Sequence, residues 1–235
     1  MHAFDRLLWR RCLGLACLLA LMVAGVAAAT DEPGSTLGAR LSRLAAFLPA
    51  VGVIAQTLVL AQCRERGELG ALAALGVSPP RQVLGAIAAG LTLGSAAVAL
   101  VLLPHSDVRS LFPVVNGGSS FVAVGDALRD PVSGIVFSPD GSLAFGAATE
   151  PALSASAPGR GAALGFVAPL ACATAFWGAA PLRALPRLGA AAVCFVLSVV
   201  VLHAVAAGRL SPALLWVGAA PLAAQAILAF RRARV

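Results

Sequence analysis

The chain contains no lysine, so all of its positive charge is carried by arginine. It therefore lacks the Lys-Ser/Thr ending of a phosphate-cradling glycine loop and carries no nucleotide-binding motif of that kind. Charge of either sign is scarce. Only 11% of residues are charged and 60% are hydrophobic, whereas soluble globular proteins carry about a quarter charged residues. With a mean hydropathy of +0.92, this composition excludes a soluble globular surface and describes an integral membrane protein. Cysteine is equally uninformative for redox or metal chemistry. The five cysteines, Cys12, Cys17, Cys63, Cys172 and Cys194, form no CxxC pair and fall in apolar runs or at their edges, as small packing residues do. The three histidines are scattered with no acidic partner at ligand spacing, so no metal and no cofactor is expected.

The formal net charge is +7, but no aromatic-basic surface motif accompanies it, and nucleic acid is not an expected partner. The arginines instead punctuate long apolar runs. A helix crossing the hydrocarbon core needs about 20 mainly apolar residues. Six segments meet that length or nearly do: Cys12 to Ala29, Leu44 to Gln62, Val83 to Leu103, Ala162 to Ala180, Leu188 to Ala207 and Pro212 to Phe230. The expected fold is an all-α polytopic membrane protein, three spans plus three, with a small, partly β insert between them. Residues 1–103 hold the first three spans, 104–161 the insert and 162–235 the last three.

Arginine also orients the chain, since positive residues are retained on the cytoplasmic side. Arg6, Arg10 and Arg11 precede the first span, and Arg64, Arg66 and Arg81 separate the second from the third. Arg183 and Arg187 separate the fourth from the fifth, and Arg231, Arg232 and Arg234 follow the sixth. All four clusters fall on one side of a six-span chain, which places both termini in the cytoplasm. The first span, ending in Ala27-Ala28-Ala29 before Thr30-Asp31-Glu32, also has the pattern of a cleavable signal peptide. Leu15-Ala16-Cys17 lacks the large apolar residue that a lipidation box wants at Gly14.

The insert differs from its surroundings by carrying Asp107, Asp126, Asp130, Asp140 and Glu150 among many Gly, Ser and Pro residues. Phe121-Val-Ala-Val, Ile135-Val-Phe and Leu143-Ala-Phe read as short strands, and Pro139-Asp140-Gly141-Ser142 as a hairpin turn. A flexible Ala/Ser/Pro/Gly tether is expected from there to Gly161. With fewer than about 60 residues, such an insert needs the membrane domain or a partner for much of its stability.

The most informative segment is the charged island between the second and third spans. Leu69, Leu72, Ala73 and Leu75 place an apolar stripe on a short helix expected within residues 64–76, while Arg64, Glu65, Arg66 and Glu68 crowd its start. Acidic residues are favoured there by the helix dipole. Gly76 supplies a stop, Ser78 a cap for the next helix, and Pro79-Pro80 fit its first turn. By these features alone the island is a solvated connector.

The order Leu60-Ala-Gln-Cys-Arg-Glu-Arg-Gly-Glu68-Leu69-Gly-Ala-Leu-Ala-Ala-Leu-Gly76-Val-Ser78 resembles the segment after the second span in the LptF/LptG family (YjgP/YjgQ type), the lipopolysaccharide export permeases. Leu164-Gly-Phe-Val-Ala-Pro169-Leu-Ala-Cys-Ala resembles that family's fourth span. Gly208-Arg-Leu-Ser-Pro212-Ala-Leu-Leu-Trp216 resembles its loop into the last span, and Arg231-Arg232 its basic tail. The resemblance implies a permease subunit in the bacterial inner membrane, paired with a second permease subunit as a homo- or heterodimer. It also implies a separate cytoplasmic ABC ATPase dimer that drives extraction of lipopolysaccharide or a related glycolipid. The chain itself would not be an enzyme. Glu68 takes the place of the family glutamate that engages the motor, with Glu65 second to it, and Leu69, Leu72 and Leu75 complete the coupling surface. Two departures stand out. The family's insert is a much longer jellyroll that hands lipid to periplasmic bridge proteins, and its first span ends in basic residues where this chain has Asp31 and Glu32.

Other polar residues carry weaker signals. Arg40 and Arg43 are the basic residues nearest the outer end of the first span and are expected headgroup contacts. Gln56 and Thr57 in the second span and Ser198 in the fifth either line a lipid cavity or bond neighbouring helices. His203, near the outer end of the fifth span, reads as an interfacial histidine, and His105, Asp107 and Arg109 form a boundary cluster. An intramembrane hydrolase built on Ser198 and His203 is disfavoured, because a spacing of five does not share a helical face. A non-transporting paralogue that scaffolds or regulates a full permease is the alternative function, motivated by the shortened insert.

Overall fold

The computed structural model describes residues 3–30, 36–112, 122–124, 126–129, 135–145, 159–181 and 184–233. Its helices are α1 (Ala3–Thr30), α2 (Leu37–Glu65), α3 (Glu68–Ala74), α4 (Pro79–Gln82) and α5 (Leu84–Leu102), followed after the sheet by α6 (Arg160–Ala179), α7 (Ala184–Ala206) and α8 (Ala220–Arg232). Two 3-10 segments, Val108–Leu111 and Pro212–Ala219, join them. Six helical stretches are long and apolar enough to cross a membrane.

Three boundaries differ from the sequence reading, each for a physical reason. The first helix starts at Ala3 rather than Cys12, so Arg6, Arg10 and Arg11 ride on the helix instead of preceding it. Leu and Arg are good helix formers, and Asp5 sits favourably in the first turn. The second starts at Leu37, because the Thr36 hydroxyl accepts a hydrogen bond from the Ala39 amide at 3.2 Å and caps the helix ahead of Arg40 and Arg43. The last span is not one α-helix. Pro221 lies in the first turn of α8 and has no N–H to give the preceding turn, so Pro212–Ala219 winds as 3-10 helix and α8 restarts at Ala220.

The centre of the bundle is made by small residues. Gly94 of α5 meets Ala171 of α6, where an added Cβ would lie 2.9 Å from that alanine's Cβ. Gly90 meets the Ala175 backbone, so the two helices approach closely along that row. At one end, Leu8, Leu60, Cys63, Ala86 and Ala179 form a core that Leu69 and Phe230 cover. At the other, Leu48, Val101, Phe112, Val167 and Leu215 form a second. There Arg160 donates to the carbonyls of Leu103 (3.3 Å) and Pro104 (2.9 Å), tying the start of α6 to the end of α5. Helices α1 and α7 are the least covered: 11% and 17% of their apolar windows are buried, against 50% for α2 and 56% for α6. Leu21, Met22 and Val26 of α1 and Phe195, Val196 and Val200 of α7 point outward.

The insert contains an antiparallel meander of four strands, β1 (Val122–Val124), β2 (Ala127–Arg129), β3 (Ile135–Phe137) and β4 (Leu143–Phe145), in that spatial order. The expected turn is present. Gly141 adopts φ +81°, and the Asp140 carboxylate accepts from the Ser142 amide at 3.0 Å and its hydroxyl at 2.7 Å. Strand β2 was not foreseen, since Ala-Leu-Arg has neither β-branched residues nor an alternating pattern. The tether expected between this turn and Gly161 falls at 146–158, outside the described residues.

Candidate functional site

The site is assembled where α2 ends. Arg66 closes α2 in a right-handed conformation, and Gly67 then takes φ +73°, which a side chain would resist, turning the chain into α3. Helix α3 stops as the sequence implies. The Gly76 amide donates to Ala73 O (2.9 Å), the Val77 amide to Leu72 O (3.0 Å), and Gly76 has φ +77°, a Schellman ending. Ser78 takes the N-cap position of α4 in extended conformation, with Pro79 and Pro80 opening the helix, but its hydroxyl makes no capping hydrogen bond, so the expected side-chain cap is absent. The Gln82 amide Nε2 donates back to Val77 O at 2.7 Å, locking the connector.

Within this frame the predicted residues separate by role. The Arg11 guanidinium donates from Nη1 to both Glu68 carboxylate oxygens, at 3.3 and 3.2 Å, with the Glu68 side chain 26% exposed. Cys63 Sγ lies 4.0 Å from the same nitrogen. Hydrogen bonding from the Cys63 thiol, then from Arg11, together with the Arg11 and Arg66 charges, holds the Glu68 carboxyl below the usual carboxylate range against a smaller opposing effect of burial. Leu69 is half-buried against the core of α1, α2 and α5. Leu72 is half-buried and borders a hollow of about 420 Å³ with Phe4, Asp5 and Arg81. Leu75 is 79% exposed at the tip of α3, and Glu65 is exposed at the end of α2. The expected stripe is therefore split: Glu68 and Leu69 anchor α3 inward, and Leu75 presents outward.

Arg11 is the residue that reading the sequence missed. It registered only as topological charge, and nothing in the linear order marks it as the partner of a residue on the far side of two helices. The restraint it supplies is mechanical. Helix α3 is joined to α2 by the chain and to α1 by the ion pair, so a displacement of α3 acts on both.

The remaining candidates are dispersed. Gln56 is 1% exposed, and its Nε2 donates to Ala86 O of α5 (2.7 Å) and Ala175 O of α6 (3.3 Å). It thus bonds three helices together rather than facing an open cavity. Ser198 packs against Gly218. His203 is exposed, with Nδ1 2.9 Å from Val199 O of its own helix, the position of an interfacial histidine. Arg40 and Arg43 are exposed on the first turns of α2. His105 and Asp107 are exposed past α5, and the Arg109 side chain lies outside the described residues. Cys12, Cys63 and Cys194 are buried, Cys17 and Cys172 face outward, and all are free thiols. No family model, curated protein or solved structure matches this chain.

Proposed function

We propose that the chain is a permease subunit of an ABC-type exporter that extracts lipopolysaccharide or a related glycolipid from the bacterial inner membrane. It works as a homo- or heterodimer with a separate cytoplasmic ATPase dimer. Both termini, α3 and α4 lie in the cytoplasm under this reading, and the sheet lies in the periplasm as a reduced insert between two sets of three spans. The observation that carries the proposal is the construction of α3. It is a short helix outside the bundle, closed by glycine at both ends, tied to α1 and α2, and presenting Leu75 outward.

That construction suits a transmission element. An apolar tip inserts into a groove on a motor, and the anchored base conveys the motor's displacement to the first two spans. The uncovered faces of α1 and α7 support the same reading, because a lipid cavity shared between two permease subunits requires outward apolar faces on the spans that line it. The first, second and fifth spans, α1, α2 and α7, are assigned to that cavity. Arg40 and Arg43 stand where headgroup phosphates would be met.

Isolation of the native complex tests the reading. A nucleotide-hydrolysing subunit that copurifies with the chain and stimulates glycolipid release from proteoliposomes is the expected result. Recovery of a complete second permease complex, with no stable ATPase contact to this chain, would replace it with the scaffolding reading that the short insert favours.

A further inference from the structure

A groove of about 940 Å³ opens between the start of α5, the middle of α6 and the length of α8. None of its lining residues comes from α1 or α7, which distinguishes it from the cavity proposed for export. Its walls are apolar, contributed by Leu84, Ile87, Phe176 and Ile227, with Trp216 toward one end and Arg231 at the other. The concavity comes from α8, which presents alanines 220, 223 and 224 to it where bulkier residues would fill the space. The volume sits at the upper end of the roughly 300–1,000 Å³ of small-molecule pockets.

We infer that this groove holds one anionic phospholipid from the leaflet at the α3 end, its acyl chain along α8 and its phosphate on Arg231. The dimensions agree with that occupant. From Ala220 to Arg231, α8 rises about 16 Å, close to half of the roughly 30 Å hydrocarbon core. The charge agrees as well. Arg231 is exposed at the mouth, and among the described residues it has no ion-pair partner. A guanidinium with unused donors beside an apolar trough matches a phosphate ester carrying a fatty chain. A second protein chain would need apolar side chains to fill the trough and an acidic one at its end. A lipid supplies both features from a single molecule already present in the leaflet. The inference is independent of export, since it uses only the groove and the arginine at its mouth.

The experiment is native mass spectrometry of the full chain purified in detergent and titrated with phosphatidylglycerol or phosphatidylcholine. One phosphatidylglycerol per chain should be retained, with about five- to tenfold preference over phosphatidylcholine. Arg231→Gln should abolish the preference while leaving weak retention of either lipid. Ala224→Leu, on an exposed face of α8, should reduce retention of both lipids without altering the elution volume of the protein. Arg232→Gln, one residue away and outside the groove lining, should leave preference and retention unchanged. Equal retention of the two lipids by the native chain, undiminished retention in Ala224→Leu, or a dimer sealed through α8 that excludes lipid would each overturn the inference.

Discussion

If the chain is the proposed export permease, Glu68→Arg should leave the six helices inserted and reduce ATP-driven glycolipid extraction by about ten- to a hundredfold, the range of coupling between distant sites. The reversal sets two guanidiniums against each other across the α1–α3 contact, where the native carboxylate accepts from Arg11 through both oxygens. The pair is partly exposed at the edge of the bundle, where solvent screening keeps its contribution to global stability small, so insertion and folding should survive while the restraint on α3 is lost. Combining Glu68→Arg with Arg11→Glu restores an opposite-charge pair and should recover most of the activity. Failure of that rescue, with Glu68→Arg alone inactive, would mean that the carboxylate acts on a basic residue of the motor rather than on α1.

The same restraint has a pH signature. Because the folded-state pKa of Glu68 is lowered, pairing contributes fully above the ordinary carboxylate value of about 4.3 and is lost as pH falls through the lowered one. A nitroxide at position 75 should therefore keep one mobility between about pH 8 and pH 5 and loosen only below the ordinary value. Loosening near neutral pH would contradict the assignment of the restraint to this carboxylate.

Gly90→Leu should be strongly damaging, because it strikes the close approach of α5 and α6. A Cβ at this position would overlap Gln56 Nε2 and lie 2.8 Å from the Ala175 Cα, which is backbone and has no rotamer to yield. It would also displace Gln56 from the carbonyls of Ala86 and Ala175, leaving buried polar groups unpaired. Overpacking and the lost hydrogen bonds together cost about 3 kcal/mol or more, which for a chain of this size lowers the melting temperature by about 6–12 °C. Gly25→Leu is the matched control, because no atom lies within 4 Å of its added Cβ. Thermal unfolding of both variants in the same detergent makes the comparison. Equal melting temperatures would show that α5 and α6 do not approach as closely as described.

Much of this was legible from single residues and their neighbours in sequence. The apolar runs locate the spans because burying a backbone in lipid demands continuous helix, and Gly76 marks the α3 stop because its role depends on local backbone geometry, whereas Ser78 marks the α4 start by position only, without a capping bond. Pro221 is equally local, but hydrophobicity runs through it unbroken and masks the change from 3-10 to α-helix that it causes. What could not be read was pairing over distance. Gln56 stood out as a polar residue in a span, but only the packing of α5 and α6 reveals the two carbonyls it satisfies. Arg11 reads in the sequence only as topological charge and Glu68 as a motor-facing carboxylate, and their contact depends on α1 extending beyond the apolar core through Arg11.

Under the proposed function, α3 is the surface a motor engages, with Leu75 as its leading residue. Placing a photoreactive amino acid at position 75 of the full chain in its native membrane, and a second one at Phe145 of the sheet as control, tests it directly. The expected result is a cross-link from position 75 to a nucleotide-binding subunit, lost when Glu68→Arg is added, and none from position 145. A cross-link from position 75 only to lipid or to another permease, with an ATPase present in the same membrane, would contradict it.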